Sequence, residues 1–353
     1  MTTRAIAVVD TPTGTPAGWT ARCGSVILPP EQTFMPNVPS VLLIALCCAE
    51  ICRPSPIYAG DDVSGEAVKY LIVHADDAGM SHSVNRGTID ALESGVVNSA
   101  SIMVPCAWFS EFAEFAKKHP VYDYGIHLTL TSEWDHYRWG PVVDRGRVPS
   151  LVGPHGYLWE NVGLVAANVR AEEAEMELRA QIDRARQFGV PLSHLDTHMG
   201  SLLARPDLVE LYARLALDYN LPILFVRDPD KRIAREYPAV AQRAAEITKA
   251  LDAKGLPILD TVLQFYGGRS HEQRLNTYIE ALSQLKPGVT EMIIHCGYAD
   301  DELRAITSSA ERRDGDRRIF SSDRVRKLLQ EQDIQLISWK ALHRKTLEKA
   351  AQR

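Results

Sequence analysis

From Tyr70 onward the chain alternates short β-branched runs with longer, charged amphipathic stretches, and this alternation restricts the fold more than any other feature. The runs that read as strands are Tyr70–Asp76, Asn98–Val104, Tyr124–Thr131, Leu192–Met199, Ile223–Asp228, Ile258–Gln264, Glu291–Cys296 and Ile334–Trp339. Helical patterns lie between them. "SHSVNRGTIDALESG" opens on a serine N-cap and closes on Gly95, "RAEEAEMELRAQIDRARQFG" closes on Gly189, and "RPDLVELYARLALDYN" has apolar residues at helical spacing. Parallel strands need crossover connections, and helices supply them. The pattern predicts an α/β fold, a single closed or nearly closed (β/α) barrel over residues 66–353. A doubly wound open sheet is the alternative, but no G-x-G-x-x-G follows the first strand. The longest interruption, Ser132 to Asn168, opens with "SEWDHYRWGPV", and a long aromatic loop in such a fold covers or lines the active site.

Residues 1–65 differ in kind. They are rich in Thr, Pro, Gly and Ala and show neither period, which predicts an irregular N-terminal leader. The apolar run Val41–Ala49 is too short to span a bilayer, which takes about 20 residues, but has the length of a signal-peptide core. Ala59 offers a cleavage position, whereas the nearest upstream positive charge is Arg22. Met35 as the true start would leave no basic residue ahead of the run. A cleaved export signal and a disordered leader both remain open, and with them a periplasmic or a cytoplasmic location. A net charge of −6 argues against nucleic acid or an anionic membrane as the main partner. Only Cys106 and Cys296 of the six cysteines lie beyond the leader, which reads as buried free thiols rather than a disulfide framework. A homodimer is left open.

Titratable residues gather where the strands end, the position at which barrels carry their chemistry. The first strand stops on adjacent carboxylates, Asp76 and Asp77. In "YGIHLTLT", His127 shares a face with Thr129 and Thr131; in "LSHLDTHMG", His194, Asp196 and His198 share one; "MIIHCGY" places His295 near its end. A buried histidine is by itself an ordinary core residue, and an Asp pair is an ordinary helix cap. Four strands placing such groups at one end of a barrel are harder to dismiss, because buried polar groups must be paired or bind a metal. Two imidazoles and a carboxylate form a common set for a divalent cation with open positions. One Asp then binds the metal, and its neighbour serves as a base toward water, the cation offsetting their repulsion.

"HADDAGMS", "GIHLTLT" and "SHLDTHMG", in this order and spacing, resemble the YdjC/ChbG-like carbohydrate deacetylases over about Tyr70 to Trp339. The resemblance implies a distorted barrel related to polysaccharide deacetylases, one divalent metal ion (magnesium or zinc), and an N-acetylated carbohydrate substrate of chito-oligosaccharide or glycolipid type. It assigns Asp77, His127 and His198 to the metal, Asp76 to the base and His295 to the acid, with Asp196 and His194 orienting His198. Trp139, with its loop neighbours Trp134, Tyr137 and Arg138, and Arg227 are the expected substrate contacts. Two departures bear on the pocket: Ala78 stands where members often have Phe, and Gly200 where they often have a second His. The rivals are another metal-dependent hydrolase on the same barrel, acting on a phosphoester or cyclic amide, and a non-catalytic sugar-binding protein. The first would favour basic strand ends, and apart from Arg227 these are acidic or His; the second would favour loss of a key residue, and none of the five is missing.

Overall fold

The computed structural model describes residues 68–268 and 270–352. The expected leader, with its apolar run and cleavage position, lies outside the described residues. Seven strands are present among these residues: β1 Lys69–Ala78, β2 Ser99–Ile102, β3 Asp123–Leu128, β4 Leu192–Thr197, β5 Thr261–Gln264, β6 Gly288–His295 and β7 Ile334–Leu336. Every pairing is parallel, in the order β4-β3-β2-β1-β6-β5. β1 is the central strand, laddered to β6 from Lys69↔Gly288 to Asp76↔His295. β7 is not a closing strand: it pairs with Lys69–Leu71 at the start of β1, and β2 takes up the pairing from His74.

Between β4 and β5 the ring closes through single bridges rather than ladders. Leu195 bridges Ile223, Val226 bridges Leu259, and Asp260 N donates to Val289 O on β6. The stretch expected as a strand over Ile223–Asp228 makes these bridges and no more. Pro222 and Pro229 bracket it, one lacking a donor at its start and the other forcing an exit at its end. The result is a distorted (β/α) barrel.

Other strands stop short of their sequence signal because side chains take over the backbone bonds. Beyond Leu128, Thr129 N donates to Gln181 Oε1 at 3.0 Å, and Gln181 Nε2 donates back to Thr129 O at 2.8 Å. Gln181 sits on the helix Ala171–Gln187, which buries Ala174, Leu178, Ile182 and Ala185 against the sheet as its periodicity requires. β4 ends at Thr197 and turns into a short 3₁₀ segment, His198–Leu203, in which Met199 and Gly200 are both left-handed (φ 54° and 66°). The long segment after Thr131 is ordered by a 3₁₀ turn, Pro149–Leu151, and a helix, Val162–Asn168. Cys106 and Cys296 are free and buried. No helix among the described residues is long and apolar enough to cross a membrane.

Candidate active site

Adjacent residues of a regular strand point to opposite faces, so Asp76 and Asp77 on an ideal β1 would not meet. The structure brings them together with a bulge. From Ala75 to Ala78 β1 spends three steps where β2, from Ala100 to Ile102, spends two, and Asp77 takes a left-handed φ of 69°. Such a backbone is costly for a residue with a Cβ and is retained where function holds it. Both carboxylates thereby enter a cavity of about 770 Å³ that is also lined by His127, Asp196, His198 and His295.

Asp77 Oδ1 is the focus. It is buried and accepts no hydrogen bond, while His127 Nε2 and His198 Nδ1 each stand 3.3 Å from it. Ligands held about 2.1 Å from one cation stand roughly 3.0–3.4 Å apart, so the trio fits a divalent ion. Asp77 Oδ2 accepts from Arg313 Nη2 at 2.6 Å. Burial opposes charge on Asp77, but Arg313, His127 and His198 outweigh it and hold its carboxyl well below the usual range. The imidazoles are fixed from behind. His127 Nδ1 bonds Asp196 Oδ1 at 2.7 Å, and His198 Nε2 meets Glu133 Oε2 at 3.0 Å. Carboxylates behind both rings outweigh desolvation and raise both pKa values, His198 to about 9. Such partners are what histidine ligands of metals require.

Asp76 lies beside this trio. Its Oδ2 is 4.0 Å from His127 Nε2 and 3.9 Å from His295 Nε2, and its Oδ1 is 3.0 Å from His74 Nε2. Burial pushes the His295 pKa down to about 4, with Arg313 adding to it and the two aspartates opposing. The His295 backbone N–H is 3.3 Å from Asp316 Oδ2, and Asp316 is itself clamped by Arg274.

Four expected roles change. Asp196 faces His127 rather than His198, because β3 and β4 place His127 and Asp196 directly opposite in register. His194 does not reach His198 either. It is fully buried, bonded to Ser193 Oγ at 2.9 Å, stacked on Trp339 and packed over Gly125, where a Cβ would lie 2.3 Å from its Nε2. Trp139 is buried in the loop cluster, its indole N–H donating to Thr131 O at 2.9 Å; Trp134 is the loop aromatic that lines the cavity. Arg227 donates two hydrogen bonds to the Asp252 carboxylate (2.7 and 2.8 Å) and does not line the cavity.

Glu133, His74 and Arg313 were missed. His74 was within reach of the period-two reading, being two residues before Asp76. Glu133 lies two residues after the third strand signal, in "TSEWD". Arg313 lies on the helix Ala310–Phe320, 236 positions from its partner, and nothing local marks it.

The profile of the YdjC-like protein family matches residues 70–331. The chain belongs to that family. A relative from Thermus thermophilus named carbohydrate deacetylase is 33% identical over 280 residues, covering 78% of this chain and 94% of its own. A carbohydrate deacetylase from Thermoanaerobacter pseudethanolicus is 27% identical over 276 residues, covering 78% of this chain and 100% of its own. An Enterococcus faecalis crystal structure, provisionally described as a cellobiose-phosphate cleavage protein, superposes with a TM-score of 0.64 at 27% identity, covering 78% of this chain and 99% of its own.

Proposed function

We propose that this YdjC-like protein is a metal-dependent hydrolase that removes the acetyl group from an N-acetylated sugar. The observation that carries the reading is the unsatisfied Asp77 Oδ1 with two imidazole nitrogens 3.3 Å away, beside a second carboxylate in a cavity roomy enough for a sugar unit. The names of the relatives supply the substrate class. Asp77, His127 and His198 would hold one divalent cation, zinc or magnesium. When bound, it supplies a Lewis acid for the acyl oxygen and acidifies water.

The rest falls to the chain's own groups. Asp76, with no lysine or arginine paired to it among the described residues, takes the proton of the attacking water through Oδ2. His295 returns a proton to the departing amine. With its pKa near 4 it is neutral in the resting enzyme at pH 7, so it gains that proton within the cycle; Asp76 Oδ2, 3.9 Å away, is the nearest group that has just taken one. Trp134 and Tyr266, both on the cavity wall, offer ring faces to a sugar. All five residues of the proposed chemistry are in place, which supports catalysis over binding alone. Acetate release from a panel of N-acetylated mono- and oligosaccharides, by chelated and metal-restored protein, tests the reading. Metal-dependent acetate supports it; a folded, metal-loaded protein that releases none from any of them removes the substrate assignment.

A further inference from the structure

Beneath the proposed reaction centre lies a buried imidazole that neither cation binding nor acyl chemistry uses. His74 is two residues before Asp76 on β1 and fully buried. Its Nε2 bonds Ser101 Oγ at 3.1 Å and is flanked by two carboxylate oxygens, Asp76 Oδ1 at 3.0 Å and Asp196 Oδ2 at 2.9 Å. Its Nδ1 is 2.7 Å from Ser99 Oγ and 3.5 Å from Glu291 Oε1. Asp196 passes the connection on, since its other oxygen bonds His127 Nδ1 at 2.7 Å. One ring therefore joins the proposed base to the carboxylate that orients a proposed metal ligand.

We infer that His74 is a positioning residue that fixes the Asp76 and Asp196 carboxylates, and through Asp196 the His127 ring, in the arrangement the reaction uses. Among the described residues only histidines lie within ion-pairing distance of these two buried carboxylates. A His127 that holds a cation through Nε2 must be neutral, and His295 is held neutral by burial. Besides the cation itself, His74 is then the remaining group among the described residues able to balance Asp76 and Asp196. Its surroundings favour that charge: burial opposes it, but Glu291, Asp196 and Asp76 push its pKa up to about 10. An imidazole clamped through both nitrogens also has one ring orientation available, so the side chains packed on it inherit its rigidity.

The inference rests on the deacetylase reading for its kinetic arm, whereas its metal arm stands alone. The experiment compares His74→Leu and His74→Gln with wild type in zinc affinity of the apoprotein and in kcat and KM for acetate release. Leu removes every polar contact; Gln keeps a donor. Expected for His74→Leu are a zinc affinity weaker by roughly 10- to 100-fold, a kcat lower by a similar factor, and a KM within about twofold of wild type. His74→Gln should recover part of both losses. Adding Asp196→Asn to His74→Leu should cost less than the two separate losses combined, because both act on His127 along one path. Where the Leu variant does not fold, the Gln variant carries the test with an intermediate loss. Wild-type zinc affinity and kcat in the folded variant would overturn the inference, leaving His74 a packing residue. If wild type releases no acetate, the deacetylase reading fails while the zinc comparison still decides the role of His74.

Discussion

Asp76 and Asp77 are neighbours in sequence and also in the cavity, because the left-handed backbone at Asp77 turns its carboxylate to the side Asp76 already faces. The two are nevertheless unlike. Asp77 is locked to Arg313 and faces two imidazoles, whereas Asp76 accepts from the Ser101 hydroxyl at 3.3 Å and, among the described residues, has only histidines within ion-pairing distance. Arg313 and the two imidazoles hold Asp77 charged, and the proposed reaction gives the base role to Asp76.

This division predicts that Asp76→Asn keeps its metal and loses roughly 10²- to 10⁴-fold in kcat, the ordinary yield of a general base. Elemental analysis and acetate release on the same sample check it. Full activity in that variant would take the base role away from Asp76.

Trp134 and Trp139 should part company. Trp139 is buried and bonded to Thr131 O, so Trp139→Ala should cost about 3–5 kcal/mol of stability in a urea melt. Trp134 is on the cavity wall, so Trp134→Ala should raise KM, with the smaller loss of stability.

Both tryptophans were expected to meet substrate and only Trp134 lines the cavity, which shows where the sequence was legible. Strand signals and crossover helices follow from local patterns, β-branched runs, capping and period-two faces, whereas the trio Asp77, His127 and His198 comes from the family resemblance of three motifs. Which loop aromatic faces the cavity depends on how the segment after Thr131 folds back through its bond to Trp159, which no local pattern encodes. The resemblance pairs Asp196 with His198, its neighbour in the same motif. The cross-strand register, which opposes it to His127, is a tertiary property. Arg227 illustrates the same limit, since its partner Asp252 lies on the helix Pro238–Lys254.

Gly125→Ala should be destabilising well beyond a surface change. A Cβ there would lie 2.3 Å from His194 Nε2, and His194 is pinned between Trp339 and His74. Overpacking of this kind costs about 1–3 kcal/mol, read as a lower urea midpoint at unchanged slope. An unchanged midpoint would mean that the ring yields freely.

Glu291 should tie stability to pH. Burial first, then Asp196 and Asp76, raise its pKa to about 8 against the opposing pull of His74. A carboxyl whose folded pKa is raised binds its proton more tightly in the native state. Its contribution is therefore full below about pH 4.3 and is lost as pH rises toward 8. Urea melts from pH 5 to 9 should show Glu291→Gln gaining steadily on wild type. Parallel curves would mean that Glu291 titrates normally.

The most direct measurement adds zinc stepwise to the apoprotein and follows acetate release from an N-acetylated chito-oligosaccharide. The account predicts no acetate at zero metal and a rise that levels off at one equivalent, with His198→Ala inactive at that ratio. Acetate at full rate from metal-free protein, or the same titration curve from His198→Ala, would contradict it.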